Sequence, residues 1–380
     1  MVTTETCRSC NAKRKFSSSC EAMWGFPRTV RSVLRSTNPL HTRRWVWNRR
    51  CKSPSSLVGR DFVEPLRLSI SDVETLVWTA SDLKQELQGK RKTPPLLEGV
   101  NVTLLLSHHC CRAELAVTSA VRKLGGNVTL IDNPTWEECS DAQELGKMIS
   151  ELFSDMVVVV ADNHCRVLDL AEGSPKPVVC ISDHVFQMVQ ALADVMSIQE
   201  HFGHTRSLLL GWVGPSLPMF NSYLLLLPMF GIHINYLKCY SNGNGEISQA
   251  VMDLAIKMTQ KNCTELHECL HVKDTVRRAN IIATTSHGEP SLKITTEVVN
   301  EAAEDWVFLH NLPRSNEEVT DEVFGHKNSM VWQSTRNYMW MTMAIILKLL
   351  AEYEPKSTKP TFQYLTKKRK TKKEEKLKCK

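Results

Sequence analysis

Residues 108–112, His-His-Cys-Cys-Arg, place two imidazoles, two thiols and a guanidinium in five consecutive positions. Imidazole and thiolate are metal ligands, paired thiols can be oxidised, and a guanidinium grips carboxylate or phosphate through parallel N–H bonds. The flanking residues narrow the choice. The stretch "LLLSHHCCRAELAVTSAVRKLGG", 104–126, opens as a buried strand and continues with apolar residues at helical spacing. His108 to Arg112 therefore fall on a strand-to-helix turn, where the unpaired N–H groups of a first helical turn favour an anion. Four adjacent side chains on one turn converge poorly on a single ion, because zinc sites draw their ligands from separated segments. No metal site is expected there. A second group, Cys263, His267, Cys269 and His271 in "CTELHECLH", is expected on a helix with His267 and His271 sharing a face. A partly buried amphipathic helix accounts for it equally, so no metal is assigned.

The surrounding pattern must position these groups. "NVTLLL", "GNVTLI", "DMVVVVA" and "KPVVCI" read as buried strands alternating with helical stretches such as "DAQELGKMISELF" and "VFQMVQALADVMSIQEHF". A second set follows: "RSLLLGWVG", "HINYLKCY", "NIIATT" and "WVFLHNL". Near-continuous apolar strands separated by helices predict parallel sheets covered on both faces, hence two parallel-sheet α/β domains linked by helices. The break falls near His201–His204, giving domains at 54–200 and 201–333. "ISDVETLVWTASDLKQEL" is a helix entered through a Ser-Asp cap. A last helix near 334–354, in a segment running to 360, follows the second sheet and is expected to pack back across the molecule.

Charge is unevenly placed. Residues 1–60 hold thirteen Lys/Arg and two acids; residues 361–380 hold nine and two. That leaves 25 of the 47 basic and 37 of the 41 acidic residues for 61–360, a net of −12. An acidic body is a poor surface for nucleic acid, whose binding depends on neutralising phosphates. The longest apolar run, "NYMWMTMAIILKLLAEY", is too short to span a bilayer, so no membrane association is expected. The thirteen cysteines are scattered and odd in number, with Cys7-x-x-Cys10 as the only CxxC, which predicts reduced thiols. Residues 1–53 are Arg-rich and acid-poor like a mitochondrial transit peptide, a disordered basic arm being the alternative. The Lys-rich tail, 361–380, is expected to be disordered.

The stretch "HNLPRSNEEVTDEVF", 310–324, resembles the HCLPR segment of ornithine carbamoyltransferases. With that anchor, "LVGRDFVEPLRLSISDVETLVWTASDLK", "ALADVMSIQEHFG" and "LLLGWVG" also fall into register, so the resemblance runs from about Leu57 to Pro360. It implies a carbamoyl-phosphate domain, an ornithine domain and a trimer with shared sites. The implied reaction is carbamoyl transfer from carbamoyl phosphate to ornithine, giving citrulline and phosphate, with no cofactor or metal.

Position by position, the resemblance implies a degraded site. The family's Ser-Thr-Arg-Thr-Arg phosphate loop reads Cys110, Cys111, Arg112, Ala113 and Glu114, with only the middle Arg kept. Val160 replaces an Arg at a strand's end. Trp136 replaces a His that reaches into a neighbour's site. The His-Pro-x-Gln motif keeps Gln190, while Gln187 replaces its His. Asn311 stands at the HCLPR cysteine, with His310, Leu312 and Arg314 retained as substrate-binding positions. Tyr338 replaces a late Arg; Leu217, in "GPSLP", and Thr284 replace ornithine-binding Asn and Asp. No residue is assigned a catalytic role.

The expectation is a family member whose catalysis is lost or severely reduced, a homotrimer or a mixed trimer with an active relative, in the mitochondrial matrix. Carbamoyl phosphate and ornithine are expected as ligands only where residual binding survives. One alternative is an active ornithine carbamoyltransferase of the urea cycle or arginine metabolism. It requires His108 and His109 to face the pocket and Glu114 to face away. Nucleic-acid binding through the tail is the other.

Overall fold

The computed structural model describes residues 56–90, 93–133, 135–138, 141–237 and 247–363. The basic arm with Cys7-x-x-Cys10, and the tail from 364 onward, lie outside the described residues. Helix α1 (Ile70–Leu87) comes first, and its cap differs from the expected Ser-Asp. Ser69 is the cap: its hydroxyl accepts from the Asp72 amide (3.1 Å), and Asp72 accepts from the Ser69 amide (2.8 Å). This reciprocal pair satisfies two otherwise open donors and puts a negative charge in the first turn.

The first lobe then alternates β1 (Asn101–Leu106), α2 (Cys111–Lys123), β2 (Asn127–Asp132), α3 (Ala142–Glu151), β3 (Met156–Val160), α4 (His164–Gly173) and β4 (Val178–Ser182). Its strands are all parallel in the order β2-β1-β3-β4, with Leu104 opposite both Leu130 and Val158. Helices α3 and α4 cross in backbone contact. A Cβ on Gly146 would stand 2.3 Å from the Leu170 carbonyl oxygen, and one on Gly173 2.1 Å from that of Gln143. Helix α5 (Met188–Phe202) leads out and ends at Gly203, whose φ of 73° breaks the helix.

The second lobe carries β5 (Leu209–Trp212), α6 (Pro218–Leu226), β6 (His233–Leu237), α7 (Gln249–Asn262), β7 (Leu266–Cys269), α8 (Val272–Val276), β8 (Ile281–Thr285), α9 (Thr296–Val299), β9 (Val307–Asn311) and α10 (Asp321–Phe324). Its parallel order is β7-β6-β5-β8-β9. The helix expected over 263–271 is absent. Cys263, at φ 53°, ends α7, and 266–269 pair with 234–237 as an edge strand. A ladder thus replaces helical hydrogen bonds, and His267 and His271 do not share a helical face. His267 sits on the strand, and His271 caps α8. The last helix, α11 (Val331–Leu350), begins and ends a few residues before the expected span and packs on α5, α1 and α2. The chain beyond it is tied to α1: Asp82 accepts from the amides of Lys356 and Ser357 and from the Tyr353 hydroxyl.

Candidate functional site

In both sheets the connections reverse direction between two neighbouring strands, β1 and β3 in one and β5 and β8 in the other. Open parallel sheets bind ligands outside the carboxyl ends of their strands at such points. The two lobes turn these ends toward one another across a cleft of about 1020 Å³. One wall is the start of α2, with His108, His109, Cys110, Cys111 and Arg112 followed by Leu115, Ala116 and Ser119. The facing side brings Leu217, Pro218 and Met219 from the start of α6 and Thr285 and Ser286 after β8. Asn311 at the end of β9 with Leu312 and Pro313 after it, Ser182 at the end of β4, Gln187 before α5, and Thr335, Tyr338 and Met339 of α11 complete it.

Arg112 is the anchor. Its Nη1 donates to the side-chain oxygens of Asn311 (3.0 Å) and Gln190 (3.2 Å), and its guanidinium lies 5.2 Å above the centre of the Tyr338 ring. Asn311 in turn donates to Gln187. Behind this layer Gln190 donates to Asp194 (3.0 Å) and to the Ser334 hydroxyl (2.8 Å). Asp194 also accepts from Ser334 and from the Tyr223 hydroxyl (2.7 Å). Burial pushes the Asp194 carboxyl up to about 6, against the hydrogen bonds from Ser334, Tyr223 and Gln190 and the pull of Arg112, which all lower it. Burial likewise raises the Tyr338 phenol, opposed by Arg112.

Of the positions singled out by resemblance, the cleft gathers Cys110, Cys111, Arg112, Gln187, Leu217, Asn311, Leu312 and Tyr338, with Gln190 directly behind Arg112. His310 and Arg314 are not brought there. His310 is held by Glu318 (3.0 Å) inside the second lobe, and burial pushes its imidazole downward. Arg314 pairs with Asp321 and stacks on Phe324. On the strand β9, successive side chains face opposite sides, so Asn311 and His310 cannot both serve the cleft. Val160 closes β3 with no exposed surface. Thr284 is buried, donating to the Val213 carbonyl (2.6 Å), and Ala113 is buried in α2. Trp136, at the position of the family's neighbour-reaching His, is buried, 2% exposed, in a core cluster with Val63, Leu105, Val159 and Ile149. An indole gains more from that apolar core than from solvent.

His108 and His109 line the cleft, and Glu114 is outside the lining. Each imidazole nevertheless has a carboxylate beside it: Asp162 3.1 Å from His108, and Glu114 4.0 Å from His109. The residues missed in the sequence carried periodic signals. Leu115, Ala116 and Ser119 share Arg112's face at helical spacing, Met339 and Thr335 flank Tyr338, and Asp194 is one turn from Gln190. Met219, Thr285 and Ser286 carried none. No group of three or more His, Cys, Asp or Glu is placed to hold a metal among the described residues.

Two parallel α/β lobes meeting at a cleft, with a helix start and one guanidinium on its wall, define a two-lobed parallel-sheet protein with its cleft at the carboxyl strand ends. Family models identify which such protein. Residues 60–200 match the carbamoyl-P binding domain, and 207–349 the Asp/Orn binding domain, of aspartate/ornithine carbamoyltransferases. The chain belongs to that family. It is 29% identical over 326 residues to the mitochondrial ornithine carbamoyltransferase of Aquarana catesbeiana, covering 81% of this chain and 91% of the relative. The mitochondrial ornithine transcarbamylase of Gallus gallus is 26% identical over 336 residues, covering 82% and 93%. Among solved structures, the ornithine carbamoyltransferase of Pyrococcus furiosus superposes with a TM-score of 0.73 at 22% identity, over 79% of this chain and 99% of that one.

Proposed function

We propose that this protein is a carbamoyltransferase-family scaffold that has lost, or nearly lost, transfer of a carbamoyl group from carbamoyl phosphate to ornithine. It would act as a trimer, alone or mixed with an active relative's subunits, in the mitochondrial matrix. Its relatives in Aquarana catesbeiana and Gallus gallus are named as mitochondrial, which supports that compartment. One observation carries the reading: among the described residues, the cleft lining holds one Arg and no Asp, Glu or Lys. The reaction needs donors for a phosphate dianion and acceptors for the ammonium groups of ornithine. Nη1 of Arg112 is already spent on Asn311 and Gln190, and Cys110, Cys111 and Ala113 are weak donors or none. A charge-assisted hydrogen bond is worth roughly 1.5–3 kcal/mol. Loss of three arginines and three hydroxyls from the family pattern then costs about 6 kcal/mol or more, on the order of ten-thousandfold in affinity.

A specific observation favours a second reading. His108 and His109 line the cleft while Glu114 does not, so weakly bound carbamoyl phosphate could still react. Citrulline formation by the purified full chain, at saturating ornithine and millimolar carbamoyl phosphate, separates the two. The control carries Cys110→Ser, Cys111→Thr, Ala113→Thr and Glu114→Arg. No citrulline from a folded protein is expected. Turnover of even about one per second, within the ordinary enzyme range, refutes the proposal.

A further inference from the structure

Three observations describe what the cleft would hold in place of the family's substrates. The first is the state of Arg112. Nη1 is occupied by Asn311 and Gln190, but Nε–H and both Nη2–H groups have no protein partner among the described residues. That edge, Nε with Nη2, is the side of a guanidinium that meets a two-oxygen planar acceptor through parallel bonds. The residue is only partly buried, at the cleft wall. No carboxylate lies within ion-pair distance of it among the described residues, and its two hydrogen-bond partners are neutral amides.

The second observation is the apolar surface around this cation. Leu115 and Ala116 lie one turn further along α2, Leu217 and Met219 face them from α6, and Leu312 and Met339 flank the floor. Leu115 is 67% exposed, so burying it against a ligand would remove an unfavourable water contact. The volume of about 1020 Å³ is at the upper end for a small-molecule site. Third, the absence of any Asp or Glu from the lining leaves nothing to neutralise an ammonium group.

We propose that the cleft binds an amphipathic monocarboxylate. Its carboxylate would meet the Nε–Nη2 edge of Arg112, and its hydrocarbon body would lie between α2 and the start of α6. A single negative charge matches a single guanidinium. A dianion would need cations beyond Arg112, and the lining imidazoles, His108 and His109, each stand beside a carboxylate, Asp162 and Glu114; an amine or amino acid would bring an ammonium into a lining without Asp or Glu. This inference rests on the proposed loss of carbamoyl transfer, since it assigns the same cleft to a different ligand.

Titration calorimetry of the full chain tests it, using octanoate as the probe and octanol, octylamine, L-ornithine and inorganic phosphate as comparisons. Octanoate is expected to bind saturably, at least tenfold tighter than any of the four. Arg112→Met should weaken octanoate at least tenfold and leave octanol unchanged. Leu217→Asp, on another element and at the partly buried N-cap of α6, should weaken octanoate and admit octylamine, and it serves where Arg112→Met fails to fold. Phosphate binding tighter than octanoate, or octanoate affinity unchanged in either folded variant, overturns the inference. Citrulline formation is measured on the same preparation to keep the two claims apart. Citrulline formed overturns the loss of transfer, and the octanoate titration then decides this inference separately.

Discussion

Replacing Asp194 with asparagine should make the protein more stable at neutral pH, an unusual outcome for a buried carboxylate with three hydrogen bonds. Burial holds the folded Asp194 at about 6 against an ordinary value of 3.8, the bonds from Ser334, Tyr223 and Gln190 notwithstanding. Below pH 3.8 both folded and unfolded chains carry the proton. Between 3.8 and 6 the folded chain keeps a proton that the unfolded chain has released. Its contribution to stability is therefore full at low pH and is lost as pH rises through about 6. At about 1.36 kcal/mol per tenfold in proton affinity, the whole span is worth about 3 kcal/mol. Roughly half of it, on the order of 1 kcal/mol, is lost between about pH 5 and pH 8. The asparagine side chain cannot titrate, can still accept from Ser334 and Gln190, and can donate to the Tyr223 oxygen where the carboxylate accepted from it. Urea unfolding of Asp194→Asn and the parent at pH 5, 6, 7 and 8, at one protein concentration, isolates this contribution, because other titrating groups cancel in the difference. The variant's advantage should grow by on the order of 1 kcal/mol from pH 5 to 8. A difference constant within about 0.3 kcal/mol, or one that shrinks as pH rises, would refute the assignment of Asp194 as a carboxyl raised by burial.

Two further substitutions test the architecture that positions the cleft. Ser69→Ala removes one half of the α1 capping box and should lower stability by about 1 kcal/mol, read as a lower urea midpoint with an unchanged slope. Gly146→Ala drives a methyl into the Leu170 carbonyl where α3 and α4 touch. It should cost about 2 kcal/mol or more, whereas Ala at a solvent-facing α3 position such as Glu144 should be near neutral.

Much of the fold was legible in the chain because its central strands are buried, although β2, expected to be buried, is a largely exposed edge strand. "MVVVV" and "IIATT" have no polar face to offer water, and a strand with two apolar faces needs a sheet covered on both sides. Alternation with helical stretches, and Gly203 after α5, set the two lobes. "LHEC" misled for a related reason. As an edge strand it is only partly buried, so it carries no apolar alternation, and its four residues are too few to show a period against the preceding α7. The cap slipped by two residues because Ser69 and Ser71 offer the same hydroxyl, and only the backbone decides which one takes the N-cap position.

The sequence by itself determined that residues 108–112 run from a strand's end into a helix start, and that Arg112 is the one Arg or Lys among them. Those are facts of residue type and local order. Only the tertiary structure decided which of the retained residues face the cleft. Arg112 and Asn311, 199 positions apart, meet at 3.0 Å because two sheets turn their carboxyl ends together. His310, one residue from Asn311, turns away to Glu318 on the opposite side of its strand. Trp136 is drawn into its own lobe's core, and Asp194 becomes a carboxyl near 6 only because three separate helices close over it. Burial and electrostatic environment are sums over segments distant in the chain, so the side chain's type sets what it can do and the packing sets what it does.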